Sequence, residues 1–194
     1  MGMRVRKDVV AEVVIGTGDD SLPAVSFDDF YRAEYVRMVT LCTGILGRRA
    51  GADDLVQDAM VEAYRRWDRL ASYDLPSAWV RRVVVQRAAK AARKRRNELD
   101  AHHRVAARPA QQPSDGELDP ELRAALAALP VQQRTVMALH YLQDLSVADI
   151  AAELDIAEGT VKTHLSRGRL RLAERLEPTP EPSNTEQPNR EEHP

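Results

Sequence analysis

The stretch from Ser146 to Leu176, SVADIAAELDIAEGTVKTHLSRGRLRLAERL, constrains the fold more than any other part of the chain. Ser146 followed three residues on by Asp149 has capping-box spacing, in which each side chain satisfies a backbone N–H at a helix start. Ile150, Ala151 and Leu154 then share one face. Asp155 stands where the chain must turn, and it takes a left-handed conformation less readily than Gly. Beyond it, Val161, Leu165, Leu172 and Leu176 recur at spacings of four, seven and four, which buries one face of a second helix. Two helices joined by a tight turn make a helix-turn-helix. Its second helix turns Thr160, Lys162, Thr163, Ser166, Arg167 and Arg169 outward. Short and long donors interleaved on a helix of this width suit the DNA major groove, where base edges and phosphates both need hydrogen bonds. The competing reading of the same residues is a solvated face on an ordinary packed helix pair.

At 194 residues the chain holds one ordinary domain or two small ones, and aromatic residues at 5% leave little for a large sheet core. The expected fold class is therefore all-α. A net charge of -2 argues against a uniformly basic coat, but the charge is unevenly spread. Between Trp79 and Arg108 ten lysines and arginines face two acids, Glu98 and Asp100, a local charge of +8 that leaves -10 for the rest of the chain. Concentrated positive charge is the electrostatic footprint of a nucleic-acid site. Cys42 is the only cysteine, so it has no disulfide partner within the chain; without an activating neighbour in the sequence it reads as a small buried hydrophobe. No apolar run approaches the roughly 20 residues needed to span a bilayer, and the N-terminus lacks a signal-peptide core, so no membrane insertion and a cytoplasmic location are expected.

Taken in order, residues 1–25 mix the apolar run Val9 to Ile15 with Gly16, Gly18, Asp19, Asp20 and Pro23, which reads as a flexible arm. From Phe27, the residues Phe30, Tyr31, Tyr35, Met38, Val39 and Cys42 mark a packed helix. Gly44, Gly47 and Gly51 mark a break. In ADDLVQDAMVEAYRRW, Leu55, Ala59, Ala63 and Trp67 form one stripe with Val56, Met60 and Tyr64 beside it, whereas Asp54, Asp58 and Glu62 line another beside Gln57. From the residues alone, that acidic stripe is read as a solvated face. After Tyr73 to Pro76, a turn signal, a helix from Ser77 to Asn97 sets Trp79, Val83, Gln86, Lys90 and Arg93 on one stripe, with Arg81, Arg82, Arg87, Lys94, Arg95 and Arg96 around it. An aromatic, an amide and a basic cluster together suit single-stranded nucleic acid, where bases stack and phosphates need neutralising; the alternative is that Trp79 is simply core. Residues 98–119 lose periodicity and read as a linker, in which His102 and His103 lack a third metal ligand. Leu122, Leu126 and Leu129 restore the helical pattern, Val136, Met137 and Leu142 carry it into the helix-turn-helix, and the proline-rich tail 177–194 is expected to be disordered.

An acidic-faced DLVQD helix, a Trp- and Arg-rich helix, and a helix-turn-helix introduced by LPVQQRTVMALHY stand in that order. The order and the words, including GTVK-x-x-LSR-x-R, resemble the extracytoplasmic-function sigma factors of the sigma-70 family over about residues 27–176. The resemblance implies two small helical domains on a flexible linker, with region 2 at 26–97, a linker at 98–119 and region 4, containing the helix-turn-helix, at 120–176. It implies a protein without catalytic residues, metal or cofactor that binds core RNA polymerase, directs it to promoter DNA and helps open the duplex. It also implies that Asp54, Gln57 and Asp58 dock on the polymerase, which reverses the solvated-face reading. Trp79, Arg81, Arg82, Gln86, Arg87, Lys90 and Arg93 would serve the melted minus-ten element. Lys162, Thr163, Ser166 and Arg167 would contact minus-35 bases, with Thr160 and Arg169 nearer the phosphates. An anti-sigma factor is a further partner that many relatives have.

Four positions depart from the family pattern. Gln86 stands where many members have Asn, Ala157 where Ser or Pro is usual, Asp155 where Gly is common, and Gly168 where Ala is common. The last three weaken the recognition helix on paper, so its order is expected to depend on polymerase and DNA. The competing function is a stand-alone helix-turn-helix regulator, which has no need of the Asp54 to Asp58 surface or the minus-ten helix. A pure interaction protein is a third reading. An enzyme is disfavoured, since no Gly-rich phosphate loop and no nucleophile with its base are present.

Overall fold

The structure, a computed structural model, describes residues 26–101 and 118–176, with the backbone alone for 99–101. The expected arm at 1–25, most of the linker with His102 and His103, and the tail at 177–194 lie outside the described residues.

Every regular element among the described residues is a helix. Helix α1 (Phe27–Leu46) starts at Ser26, whose hydroxyl accepts the Asp29 N–H at 3.1 Å, with Asp28 and Asp29 in the first turn where the helix dipole favours acids. It stops at Gly47, whose φ of 70° lets its N–H reach the Thr43 carbonyl at 2.9 Å. The break expected from Gly44 onward therefore begins three residues late. Gly44 lies inside α1 and is buried, because a neighbouring helix packs there: a Cβ at Gly44 would stand 2.9 Å from Leu142 Cδ1 and 3.5 Å from Ala138 Cβ.

Helix α2 (Ala52–Tyr64) buries Val56, Ala59, Met60 and Ala63. It ends at Tyr64, so Trp67 is not part of its stripe. Trp67 opens the short α3 (Trp67–Leu70), where its ring centroid lies 4.8 Å from that of Phe30 and 5.3 Å from that of Phe27. Helix α4 (Pro76–Ala101) outruns the expected end at Asn97, so residues 98–101 are helical and not linker. Val80, Val84, Val85, Ala88, Ala89 and Ala92 form its buried face against α1 and α2.

The second group begins at Asp119, whose carboxylate accepts the N–H groups of Glu121 and Leu122 at 2.8 and 3.0 Å to cap α5 (Pro120–Ala127). Helix α6 (Val131–Leu142) is its spine, with Val136, Met137, Ala138 and Leu139 all buried. Helices α7 (Val147–Leu154) and α8 (Glu158–Leu176) complete it. The two helical groups do not stand apart. Helix α1 packs on α5 and α6, and α4 on α6, so a single apolar core runs from Phe30 to Leu165. Leu118, expected in the linker, is buried in that core and reaches the Gly44 position. Fully buried side chains such as Met38, Leu41, Ile45, Leu139 and Ile150 each contribute about 1.5–3 kcal/mol.

Candidate polymerase and nucleic-acid interfaces

The exposed face of α2 carries Asp54, Gln57 and Asp58. The other acids on this helix are engaged. Arg49 grips Asp53 through Nε and Nη2 at 2.8 and 2.9 Å, and Glu62 accepts from Arg66 at 2.6 Å and from Arg87 of α4. Glu62 thus ties the acidic helix to the basic one, and only Asp54 and Asp58 of the expected acidic stripe present carboxylates outward. Val61 and Tyr64, 44% and 64% exposed, add apolar surface toward the C-terminal end of α2.

On α4, Arg82, Gln86, Lys90 and Arg93 are exposed, while Trp79 and Val83 are half-buried. Trp79 belongs partly to the core, and its ring lies 5.6 Å from the Arg66 guanidinium in a cation–π arrangement. Arg87 is half-buried against Glu62. Arg81 leaves this group altogether. It points to α7, where its Nη2 lies 3.5 Å from the Glu153 carboxylate, with side-chain exposures of 15% and 10%. Burial pushes the Glu153 carboxyl above the ordinary range, and the nearby Arg81 and Arg82 pull it back only in part. Before α4, the segment read from sequence as a bare turn lines a cleft with Phe30, Trp67, Tyr73 and Asp74, and Tyr73 is 40% exposed. An exposed aromatic ahead of a basic helix was the available signal for it, and reading 73–76 only as punctuation missed it.

The helix-turn-helix forms as its residues dictate. Ser146 Oγ accepts the Asp149 N–H at 3.1 Å while Asp149 accepts the Ser146 N–H at 3.3 Å, completing the capping box. Asp155 takes the left-handed conformation, φ 54°, and the Ile156 N–H closes on the Ala151 carbonyl at 3.0 Å. Helix α8 is continuous for 19 residues, with Val161, Leu165 and Gly168 buried. Leu176, expected in that stripe, is 39% exposed and Leu172 half-buried, because the packing against α6 and α7 covers the N-terminal part of α8. Gly168 is closely packed: a Cβ there would fall 2.8 Å from Met137 Cγ and Sδ, so the Met137 side chain would have to shift. Ala157 stands at the start of α8, where its carbonyl accepts from Thr160 and Val161 but its side chain caps nothing.

Thr160, Lys162, Thr163, Ser166 and Arg167 all lie exposed on α8. Thr163 donates to the Gly159 carbonyl at 2.8 Å, and Lys162 reaches Glu158 at 3.4 Å. Arg169 is set apart, since its Nε donates to Tyr141 Oη at 2.6 Å and its guanidinium lies 5.7 Å from that ring. Among the described residues no cluster of three or more potential metal ligands occurs, and no helix is long and apolar enough to cross a membrane.

The sigma-70 region 2 family model matches residues 30–98 and the sigma-70 region 4 model residues 120–172. The chain is 33% identical over 155 residues to the ECF RNA polymerase sigma factor SigM of Mycobacterium tuberculosis, covering 78% of this chain and 77% of that one. The chain belongs to the extracytoplasmic-function sigma factors of the sigma-70 family. It is a promoter-directing initiation factor, and the stand-alone regulator is not favoured. The sigma-E factor of Streptomyces avermitilis is 29% identical over 162 residues, covering 79% of this sigma factor and 86% of that relative. Among solved structures, the sigma factor RpoE of Bartonella quintana, in complex with the anti-sigma factor NepR, matches with a TM-score of 0.57 at 28% identity over 77% of this chain and 97% of that one. Region 2 of this sigma factor accordingly lies in α1–α4 and region 4 in α5–α8.

Proposed function

We propose that this sigma factor docks on core RNA polymerase through Asp54, Gln57 and Asp58, reads a minus-35 duplex element with α8, and holds the melted minus-ten strand on α4. Lys162, Thr163, Ser166 and Arg167 contact bases from the exposed face of α8. Thr160 and Arg169 take phosphates; the bond from Arg169 to Tyr141 keeps that guanidinium at the margin of the helix, where the backbone of a duplex would pass. On α4, Arg82, Gln86, Lys90 and Arg93 face the strand, Arg81 and Arg87 add phosphate contacts only once released from Glu153 and Glu62, and Trp79 supports the surface from its half-buried place. Tyr73 joins them as a stacking platform, because an exposed aromatic beside a cleft suits an unstacked base.

The observation that carries this reading is the α2 face. Asp53 and Glu62 are consumed by internal ion pairs while Asp54 and Asp58 are presented outward beside Gln57, an arrangement that a DNA-binding regulator has no use for. The family is a non-catalytic initiation factor, and the role proposed needs no catalytic residue and no cofactor. It places the protein with the polymerase in the cytoplasm. An anti-sigma factor is a further proposed partner, supported by the similarity to a sigma factor solved in such a complex.

The test is transcription from promoter fragments by sigma-free core polymerase supplemented with the purified chain. Start-specific transcripts are expected, and they should disappear when Asp54 and Gln57 are both changed to Ala. Duplex binding without polymerase association or initiation would overturn the reading.

A further inference from the structure

The short segment between α3 and α4 carries Leu75, at 66% the most exposed large apolar side chain among the described residues. A single exposed leucine is ordinary on a protein surface, so what matters is how this one is mounted. Pro76 follows it and opens α4, and a residue before proline is confined to extended backbone. The Leu75 carbonyl accepts the Ala78 N–H at 3.1 Å, which ties it to the first turn of α4. Upstream the segment is pinned back to α3. The Tyr73 N–H donates to the carbonyl of the buried Leu70 at 3.0 Å, and the Ser72 hydroxyl donates to the Arg69 carbonyl at 2.8 Å. Leu75 is therefore projected into solvent from a backbone anchored at both ends.

Its surroundings match what a nucleic acid presents. Tyr73, Asp74 and Pro76 line the cleft with Phe30 and Trp67, whereas Leu75, in the midst of them, stands outside it at the rim. Exposed cations bracket the segment: Arg65, Arg66 and Arg69 before it, against the one acid Asp68, and Arg82 on α4 after it. A rigid apolar projection, a cleft beside it and cations around it have a joint use. Apolar side chains pushed between stacked base pairs unstack them and kink the duplex, and the freed base then needs a pocket to hold it.

We propose that Leu75 is a wedge that parts a base step at the minus-ten element, entering the stack and passing the freed base to the cleft beside it. Trp79, the aromatic that stands out on α4 in the sequence, is not placed for this task. It is half-buried, packed on the core and covered by the Arg66 guanidinium. The wedge rests on the function proposed above: it separates the strands, and the residues already assigned on α4 hold one of them afterwards.

A wedge helps to open a duplex and adds little once the strands are apart. Leu75→Ser separates these cases, since an exposed leucine leaves no cavity and a serine just before a helix can accept one of its free N–H groups. Loss of fold is thus not the expected result, and a thermal unfolding curve like that of the native chain checks it. The full chain with core polymerase is compared on a duplex promoter and on the same promoter with a mismatched bubble over the minus-ten element. In Leu75→Ser the ratio of duplex to bubble initiation should fall about ten-fold, and a thymine placed in the minus-ten element of the duplex should lose its permanganate reactivity. Leu75→Met, still apolar and of similar reach, should recover most of both. An unchanged ratio would overturn the wedge. So would an equal loss on both templates, which would make Leu75 a binding contact, or a Leu75→Met variant no better than Leu75→Ser. If the native chain initiates on neither template, the sigma reading itself fails and not the wedge alone.

Discussion

The two helices proposed to meet DNA, α4 and α8, are both rich in arginine, yet they are presented differently. On α8 the candidate base-reading side chains lie on open surface with at most a local partner one turn away, as Lys162 has in Glu158. On α4 two arginines are already engaged by carboxylates from other helices, Arg87 by Glu62 and Arg81 by Glu153. The difference fits the nucleic acid each helix is assigned. A duplex presents its major groove at all times, so the surface that reads it gains from being preformed. A melted strand exists only after the polymerase has engaged the promoter, and a surface that holds its arginines on internal acids until then avoids indiscriminate binding to single strands.

The largest effect should come from the helix that supports both sides of the comparison. Leu139 in the middle of α6 is fully buried, and Leu139→Ala should cost about 2–5 kcal/mol in a denaturant titration through lost burial and the cavity left behind. Because α6 packs on α8 and on α1, duplex binding should weaken together with stability; intact duplex binding in a chain destabilised by that amount would show that α8 is held independently.

The next pair of substitutions sets the two surfaces directly against each other. Lys162→Ala should weaken minus-35 duplex binding by about 1–3 kcal/mol and relax sequence preference, whereas Arg82→Ala should lower affinity for the melted strand with little change in sequence preference and reduce the salt slope by about 0.7–1. These are checked by titrating each DNA at several salt concentrations. The same salt response for both variants would erase the distinction between a base reader and a phosphate contact. A smaller effect is expected at the entry to the helix-turn-helix, where Ser146→Ala removes the hydroxyl that caps Asp149 N–H and should cost about 1 kcal/mol, measured by thermal unfolding.

What was readable in the sequence and what was not follows the reach of each interaction. The capping box of Ser146 and Asp149, the left-handed turn at Asp155 and the apolar spacing of Val161 and Leu165 involve residues within a few positions, so pattern alone located them. Gly44 was misread as a break because its role, close approach to Leu142 and Ala138, depends on a helix nearly a hundred residues away. Gly168 was likewise counted as a weakness in α8, although Met137 fills the space that an alanine would need. The acidic stripe of α2 was legible as a stripe, but not the capture of Glu62 by Arg66 and Arg87, which leaves only Asp54 and Asp58 facing outward. Arg81 was grouped with its neighbours on α4 because local spacing says nothing of a partner 72 positions on.

The smallest expected effect concerns that same cover over Arg81. Burial raises the Glu153 carboxyl above its unfolded value, against the opposing pull of Arg81 and Arg82. The folded chain therefore binds this proton more tightly than the unfolded chain, and stability falls as pH rises from the ordinary carboxylate value through the raised one. Other carboxylates titrate over the same range, so the comparison must be with Glu153→Gln, which shares that background and lacks this group. Denaturant midpoints taken between about pH 4 and pH 7 should show the native chain losing stability relative to the Gln variant as pH rises. A difference of the opposite sign would mean that the Arg81 ion pair outweighs the burial of Glu153. The contact would then hold α4 more firmly at neutral pH, and the contrast between a covered α4 and an open α8 would be one of stable structure and not of a poised release.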